Sequence, residues 1–254
     1  EELAVNAHPS KTANGSARDL PQLFPDIGSD QVNRYLSGIL PGLTAKVFRT
    51  YRATSAVNAS LQESGVRETS PEYVKWQAVA EANLKAAELC NHTKKAGINW
   101  SSVQKSYTER LERAQERQRA AEQAREQAQQ ELQALRIEVN QAASGSAEVA
   151  SKNVKTLKNK IERKRAQVSV LNERVNRAGL AVGKIKAQMA VAKQKRTWNL
   201  TTSLKSYIDP RVFHRWGEEV GYDVIQRYYP TVLQRKFAWV RLIDSAQLRS
   251  AVQN

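Results

Sequence analysis

Thiols, imidazoles and long apolar runs are what this chain has least of: one cysteine, one methionine and three histidines in 254 residues. The single cysteine, Cys90, excludes an internal disulfide and suits a reducing compartment. Histidines and a cysteine this few and this widely spaced make no metal-ligand pattern. No run of about 20 apolar residues occurs, so nothing is read as spanning a bilayer. No G-x-x-x-x-G-K-[ST] loop is present to cradle nucleotide phosphates. The chain opens Glu1-Glu2-Leu3, with neither a methionine nor a basic-then-apolar leader, and reads as an internal fragment or a processed subunit. No alternating strand pattern or Asn-Gly hairpin is read anywhere, which leaves an all-α fold.

Positive charge is what the chain has in excess. Forty Lys and Arg face 25 Asp and Glu, a net charge of +15. A surplus of that size points to a polyanionic partner, nucleic acid ahead of an anionic membrane surface. The length suffices for one or two compact domains with cores of their own.

Four regions follow in order. Residues 1–28, rich in Ser, Asn, Pro, Ala and Gly, read as an irregular lead-in that holds His8 and Lys11. Residues 29–100 carry helical patterning. Ser29-Asp30 can cap a helix through Val32, Tyr35, Leu36 and Ile39, which Pro41-Gly42 ends. A second helix begins near Leu43, with Val47 and Phe48 expected to face inward and Lys46 and Arg49, three apart, sharing another face. A third runs from Glu72-Tyr73 through Trp76, Val79 and Leu84 into Leu89-Cys90-Asn91-His92.

Residues 101–197 read as a long antiparallel coiled coil. Tyr107, Leu111, Ala114, Gln118, Ala121, Arg125, Ala128, Leu132, Leu135, Val139 and Ala142 step by fours and threes, a heptad seam. Ser144-Gly145-Ser146 breaks it, and a second seam runs Val154, Leu157, Ile161, Lys164, Val168, Leu171, Val175, Ala178, Val182, Ile185, Met189 and Ala192. Two such helices on a short turn must fold back on each other. Most of the basic excess, Lys184, Lys186 and Lys193 included, sits on the second helix. Residues 198–254 regain aromatics and read as a small helical C-terminal domain, with Asp209-Pro210 starting a helix.

The stretch Ser203-Leu204-Lys205-Ser206-Tyr207-Ile208-Asp209-Pro210-Arg211 carries the chemistry. It sets a tyrosine at a turn, between Lys205 and Arg211. A free tyrosine, with a pKa of about 10, is ionised to roughly one part in a thousand at pH 7. A nucleophilic tyrosine therefore needs cationic neighbours or a charge-stabilised transition state.

Three segments together resemble the C-terminal part of eukaryote-type type IB DNA topoisomerases. They are Gly42-Leu43-Thr44-Ala45-Lys46-Val47-Phe48-Arg49-Thr50-Tyr51, then Leu89-Cys90-Asn91-His92, then Ser206-Tyr207-Ile208-Asp209-Pro210-Arg211 with Lys236-Phe237-Ala238-Trp239 downstream. The resemblance covers about residues 30–240 and likens the hairpin to the family's linker. It implies Tyr207 as nucleophile on a DNA phosphodiester, forming a 3′-phosphotyrosine and freeing a 5′ hydroxyl end to rotate before religation. It implies Arg49 and His92 as donors to the non-bridging oxygens. It also implies double-stranded DNA as partner, contacted by Lys46, Arg52, Lys205, Arg211, Lys184, Lys186 and Lys193, with no ATP, metal or other cofactor. A monomer on DNA is expected, in the nucleus of a eukaryote or in the cytoplasm and nucleoid of an archaeon. The family's second arginine and its general-acid lysine, borne on a β-hairpin, are not found; Lys11 stands in an unrelated context. This implies an incomplete enzyme whose partner is the missing N-terminal part of the catalytic core. On the residues alone, two other readings stay open: a coiled-coil adaptor that binds nucleic acid, and a tyrosine recombinase-like strand-transfer protein.

Overall fold

A computed structural model describes residues 8–9, 21–22, 27–97, 99–142 and 147–242. Lys11 and most of the lead-in, the Ser144-Gly145-Ser146 break and residues 243–254 lie outside the described residues. The described elements are helical, as the patterning predicts, with one small exception. Strands β1 (His8–Pro9) and β2 (Pro21–Gln22) pair antiparallel, His8 opposite Gln22. A pairing of two residues on each side is too short to show as alternation in the sequence.

Helix α1 (Ser29–Ile39) starts one residue earlier than a Ser29 cap would have it. Gly28 stands at the cap, its amide donating to the Gln31 side chain at 3.0 Å. Helix α2 (Ala45–Glu63) follows, tied to α1 by the Ala45 amide, which donates to Asn33 Oδ1 at 3.0 Å. The inward orientation expected for Val47 and Phe48 is wrong. They are 45% and 50% exposed, because the described residues put no element over that face. The residues of α2 that do enter the core are Ala53, Val57 and Leu61, spaced by four in its second half.

Helix α3 (Glu72–Leu89) is the centre of the fold. Alanines at 78, 80, 82, 86 and 87 are all buried, and their small side chains let neighbours approach on several sides. Against it pack α2, the root of the hairpin and two of the four short α-helices that follow, the first and the third, while the second packs on α2 and the fourth on the third. The four are α6 (Leu200–Ser206), α7 (Pro210–Val220), α8 (Val224–Arg227) and α9 (Thr231–Lys236). Their Leu204, Ile208, Phe213, Trp216, Ile225 and Leu233 join Val57, Leu61, Val79 and Ala82 in one continuous core. Gly221, at φ 62°, takes the left-handed turn that ends α7.

Helices α4 (Trp100–Ala142, 43 residues) and α5 (Ala147–Gln194, 48 residues) form the long pair. At 1.5 Å per residue each runs about 65–70 Å. They are antiparallel: Arg110 reaches Gln188 near the root, and Lys164 reaches Glu131 farther out. Ala114, Ala121, Ala128 and Leu132 are buried against Ile161 and Val182, and the remaining seam positions are half-buried. No described helix is long and apolar enough to cross a membrane.

Phe213, fully buried, joins the short helices to α2 and α3. Phe213→Ala is expected to cost about 3–5 kcal/mol, read as a lowered urea midpoint with an unchanged slope.

Candidate functional site

Tyr207 stands between two helices that are each fixed locally. Asn199 caps α6, its side chain accepting from the Thr202 amide at 3.3 Å. The Tyr207 amide closes the last turn on the Ser203 carbonyl at 3.0 Å. Asp209 then caps α7, accepting from the Arg211 amide at 3.0 Å, with Pro210 in the first turn. The Asp209 amide donates to Thr54 Oγ1 on α2 at 3.1 Å, and Ile208 is pegged into the core. A turn held on both sides leaves the phenol ring half-buried rather than sunk.

Three side chains gather on that ring. The Arg49 guanidinium lies 4.9 Å from its centroid and the Lys46 ammonium 5.6 Å. The His92 imidazole lies 4.6 Å away, tilted by 50°. Arg49 and Lys46 therefore do share the face of α2 that meets Tyr207. Arg49 also donates to the Cys90 carbonyl at 2.6 Å, which ties α2 to the end of α3.

His92 is positioned by an abrupt turn. Asn91 takes φ 52°, a left-handed conformation that asparagine tolerates better than most residues. The His92 amide thereby returns to the Ala87 carbonyl at 2.8 Å. Its own carbonyl accepts from the Asn199 amide at 2.6 Å, and its Nδ1 lies 2.9 Å from Ser203 Oγ. Nε2 has no partner among the described residues. Burial and then the Arg49 charge hold the imidazole below its usual pKa, so it is neutral at pH 7. Burial pushes the Cys90 thiol up despite the nearby Arg49, making it a poor nucleophile.

The other expected DNA contacts scatter. Arg52 is exposed one turn beyond Arg49, and Lys205 is exposed on α6, with Lys236 donating to its carbonyl at 3.0 Å. Arg211 turns onto Asp209, its Nε 3.0 Å from each carboxylate oxygen, so its charge is already matched. Lys184 lines a groove of about 840 Å³ beside Tyr73, Trp76 and Tyr222. Lys186 and Lys193 are exposed and, seven apart, share a different face of α5. Ser203 was missed as a site residue. Its four-residue spacing to Tyr207, one helical turn, puts the two on one side of the helix without singling the serine out.

Comparison with known proteins gives these residues a context. A family model described as "Eukaryotic DNA topoisomerase I, catalytic core" matches residues 11–132, and one described as "C-terminal topoisomerase domain" matches residues 181–246. The chain belongs to the eukaryotic-type type IB DNA topoisomerase family. It is 28% identical over 228 residues to DNA topoisomerase 1 alpha of Arabidopsis thaliana, covering 87% of this chain and 22% of that protein. Homo sapiens DNA topoisomerase 1 is 28% identical over 225 residues, 88% of this chain and 26% of its own length. The mitochondrial DNA topoisomerase I of Homo sapiens is 25% identical over 226 residues, 89% and 33%. The chain thus spans between a fifth and a third of these relatives. The family's site must therefore be judged on what these residues can do. Two cations and an imidazole ring lie within 5.6 Å of the centre of one phenol ring, which suits an anionic group reacting at that phenol.

Because the folded state holds His92 neutral, the unfolded chain takes up its proton first as the pH falls through 6.5. Stability is therefore full above that pH and declines below it. Urea midpoints at pH 7.5 and 5.5 are expected to fall further apart for the native chain than for His92→Gln.

Proposed function

We propose that this chain is part of a type IB DNA topoisomerase that relaxes supercoiled double-stranded DNA. The observation that carries this reading is the convergence of Arg49, Lys46 and His92 on Tyr207. The Tyr207 oxygen attacks the phosphorus of one strand and loses its proton. The bond from phosphorus to the 5′ oxygen breaks, leaving a 3′-phosphotyrosine and a 5′ hydroxyl once that oxygen takes a proton. Rotation follows, and the hydroxyl attacks the phosphotyrosine to restore the strand. The phosphodiester bond energy is kept in the phosphotyrosine, so no nucleotide is consumed. Arg49 and His92 stabilise the charge that gathers on the non-bridging oxygens; each such donor is worth about 3–4 kcal/mol.

The proton donor to the leaving 5′ oxygen, a lysine in the family, and a second arginine come from the N-terminal part of the catalytic core, outside this sequence. Two observations support such a partner. The chain spans only 22–33% of its relatives. Tyr35, Ile39, Leu40, Val47, Phe48 and Tyr51, all within 17 residues of one another along the first two helices and their connection, are exposed large apolar side chains that a partner could cover.

Residues 29–100 then belong to the catalytic core, 101–197 form its linker, and 198–254 are the tyrosine-bearing domain. The enzyme acts as a monomer wherever its DNA is held: the nucleus of a eukaryote, or the cytoplasm and nucleoid of an archaeon. Lys205 and Arg52 bind backbone phosphate beside the cleaved bond, with Arg211 ordering the turn through Asp209. DNA contact is with the backbone rather than base edges, and affinity falls steeply with salt. The basic α5, with Lys184, Lys186 and Lys193, brakes rotation through weak phosphate contacts.

Incubation with suicide duplex DNA, with the upstream core added, is expected to trap a protein–DNA adduct that Tyr207→Phe abolishes. Omitting the upstream core should lower adduct formation by about 10²–10⁴. No adduct in either mixture, with DNA still bound, would reduce the chain to a DNA-binding coiled-coil adaptor. Replacing Lys184, Lys186 and Lys193 with Gln should speed rotation in single-molecule relaxation traces; an unchanged rate removes the braking role.

A further inference from the structure

Ser203 is the one fully buried hydroxyl next to the site, 0% exposed, and its only partner among the described residues is His92 Nδ1 at 2.9 Å. Each of the two atoms can donate or accept, so the pair admits two arrangements. If Nδ1–H donates to Ser203, the serine proton has no acceptor among the described residues and Nε2 is a bare lone pair. A buried donor left unmatched costs about 1–3 kcal/mol. If Ser203 O–H donates to Nδ1, both of those atoms are satisfied and the ring's proton sits on the buried Nε2, so one atom rather than two is left without a partner among the described residues.

We propose that Ser203 is a positioning residue that donates to His92 Nδ1 and so keeps the proton on Nε2. Burial of the ring and the charge of Arg49 disfavour a second proton, so which nitrogen holds the first decides what the ring can do. A ring with Nε2–H offers a donor to an anionic oxygen without adding a charge. The opposite tautomer would present a lone pair to that oxygen and repel it. Ser203 and Tyr207 are four apart on one turn of α6, and the Tyr207 amide bonds the Ser203 carbonyl. One helical turn thus holds both the nucleophile and the group that sets its neighbour's proton.

The tautomer part of this inference concerns the ring alone; its catalytic consequence rests on the topoisomerase reading. The two are separated by using two readouts. The first is the 15N spectrum of the imidazoles in the full chain at pH 7.5, with His92 assigned by its loss in His92→Gln. A protonated and a bare ring nitrogen resonate far apart, so the native chain is expected to show Nε2 protonated and Nδ1 bare. Ser203→Ala should shift the pattern toward Nδ1–H or a mixture, and Ser203→Thr, which keeps a hydroxyl, should restore it. Protonation at Nδ1 in the native chain overturns the proposal without any variant, and so does a pattern unmoved by Ser203→Ala.

The second readout is cleavage with the upstream core present. Ser203→Ala should slow adduct formation by about tenfold, less than the roughly 10²–10³ of deleting a donor outright. DNA affinity should stay unchanged, and the substitution should have no further effect in a His92→Gln background. An Nε2–H tautomer set by Ser203, with no Tyr207 adduct under any condition, would uphold the tautomer and remove the topoisomerase reading. A tenfold loss that persists in the His92→Gln background would overturn the positioning role.

Discussion

The joining of His92–Lys94 to residues 197–203 is the contact on which the rest of this molecule depends. The Asn199 amide donates to the His92 carbonyl, the Lys94 amide to the Thr197 carbonyl, and Thr93 bridges to Trp198. Roughly a hundred residues separate the two sides of that junction. Closing a flexible loop of that length would cost about 4 kcal/mol. The hairpin removes most of that cost, because two antiparallel helices of 43 and 48 residues bring the chain back to where it left. The seam of Ala114, Ala121, Ala128 and Leu132 against Ile161 and Val182 therefore does more than hold two helices together. It delivers α6, and with it Tyr207, to the end of α3.

Once α6 has arrived, the same few residues that build the site also fasten it. Arg49 lies over the Tyr207 ring and holds the Cys90 carbonyl. Asp209 caps α7, accepts from Arg211 and reaches Thr54 through its amide. Pre-organised groups of this kind need little rearrangement when charge develops near them. The tyrosines elsewhere make the contrast. Burial pushes Tyr222 and Tyr228 up to about 12, and Tyr228 takes a hydrogen bond from the buried Asn83. Those phenols are structural.

Much of this was legible because it is periodic or local. The two heptad seams, the Asp209-Pro210 helix start and the Gly221 stop are written in residues a few positions apart. That Lys46 and Arg49 share a face follows from their spacing; that the face meets Tyr207 does not. The reversed exposure of Val47 and Phe48 has the same root. Apolar residues at helical spacing announce a face to be covered, and only tertiary structure says what covers it. The lead-in pairing was hidden by its shortness, two residues on each side. Ser203 was hidden by its ordinariness: nothing in a serine within Thr-Thr-Ser-Leu foretells a buried hydroxyl facing an imidazole. Arg211 was misjudged in weight, since a neighbouring Asp209 that looked like a helix cap turned out to take its guanidinium as well.

Helix α2 links the organisation of the core to the incompleteness of the site. Its second half is held by Ala53, Val57 and Leu61, each at most 1% exposed. Its first half carries Lys46, Arg49 and Arg52 on a stretch whose apolar residues, Val47, Phe48 and Tyr51, are uncovered. The cations nearest Tyr207 therefore ride on a helix that the core holds only through its second half. The Arg49 bond to the Cys90 carbonyl and the Ala45 bond to Asn33 fix the first half at two points, and an apolar partner over Val47 and Phe48 would fix it along its length. A partner docking there would bear directly on the distance between Arg49 and Tyr207, because a helix transmits displacement along its axis with little bending. Completing the core and ordering the site would then be a single physical event.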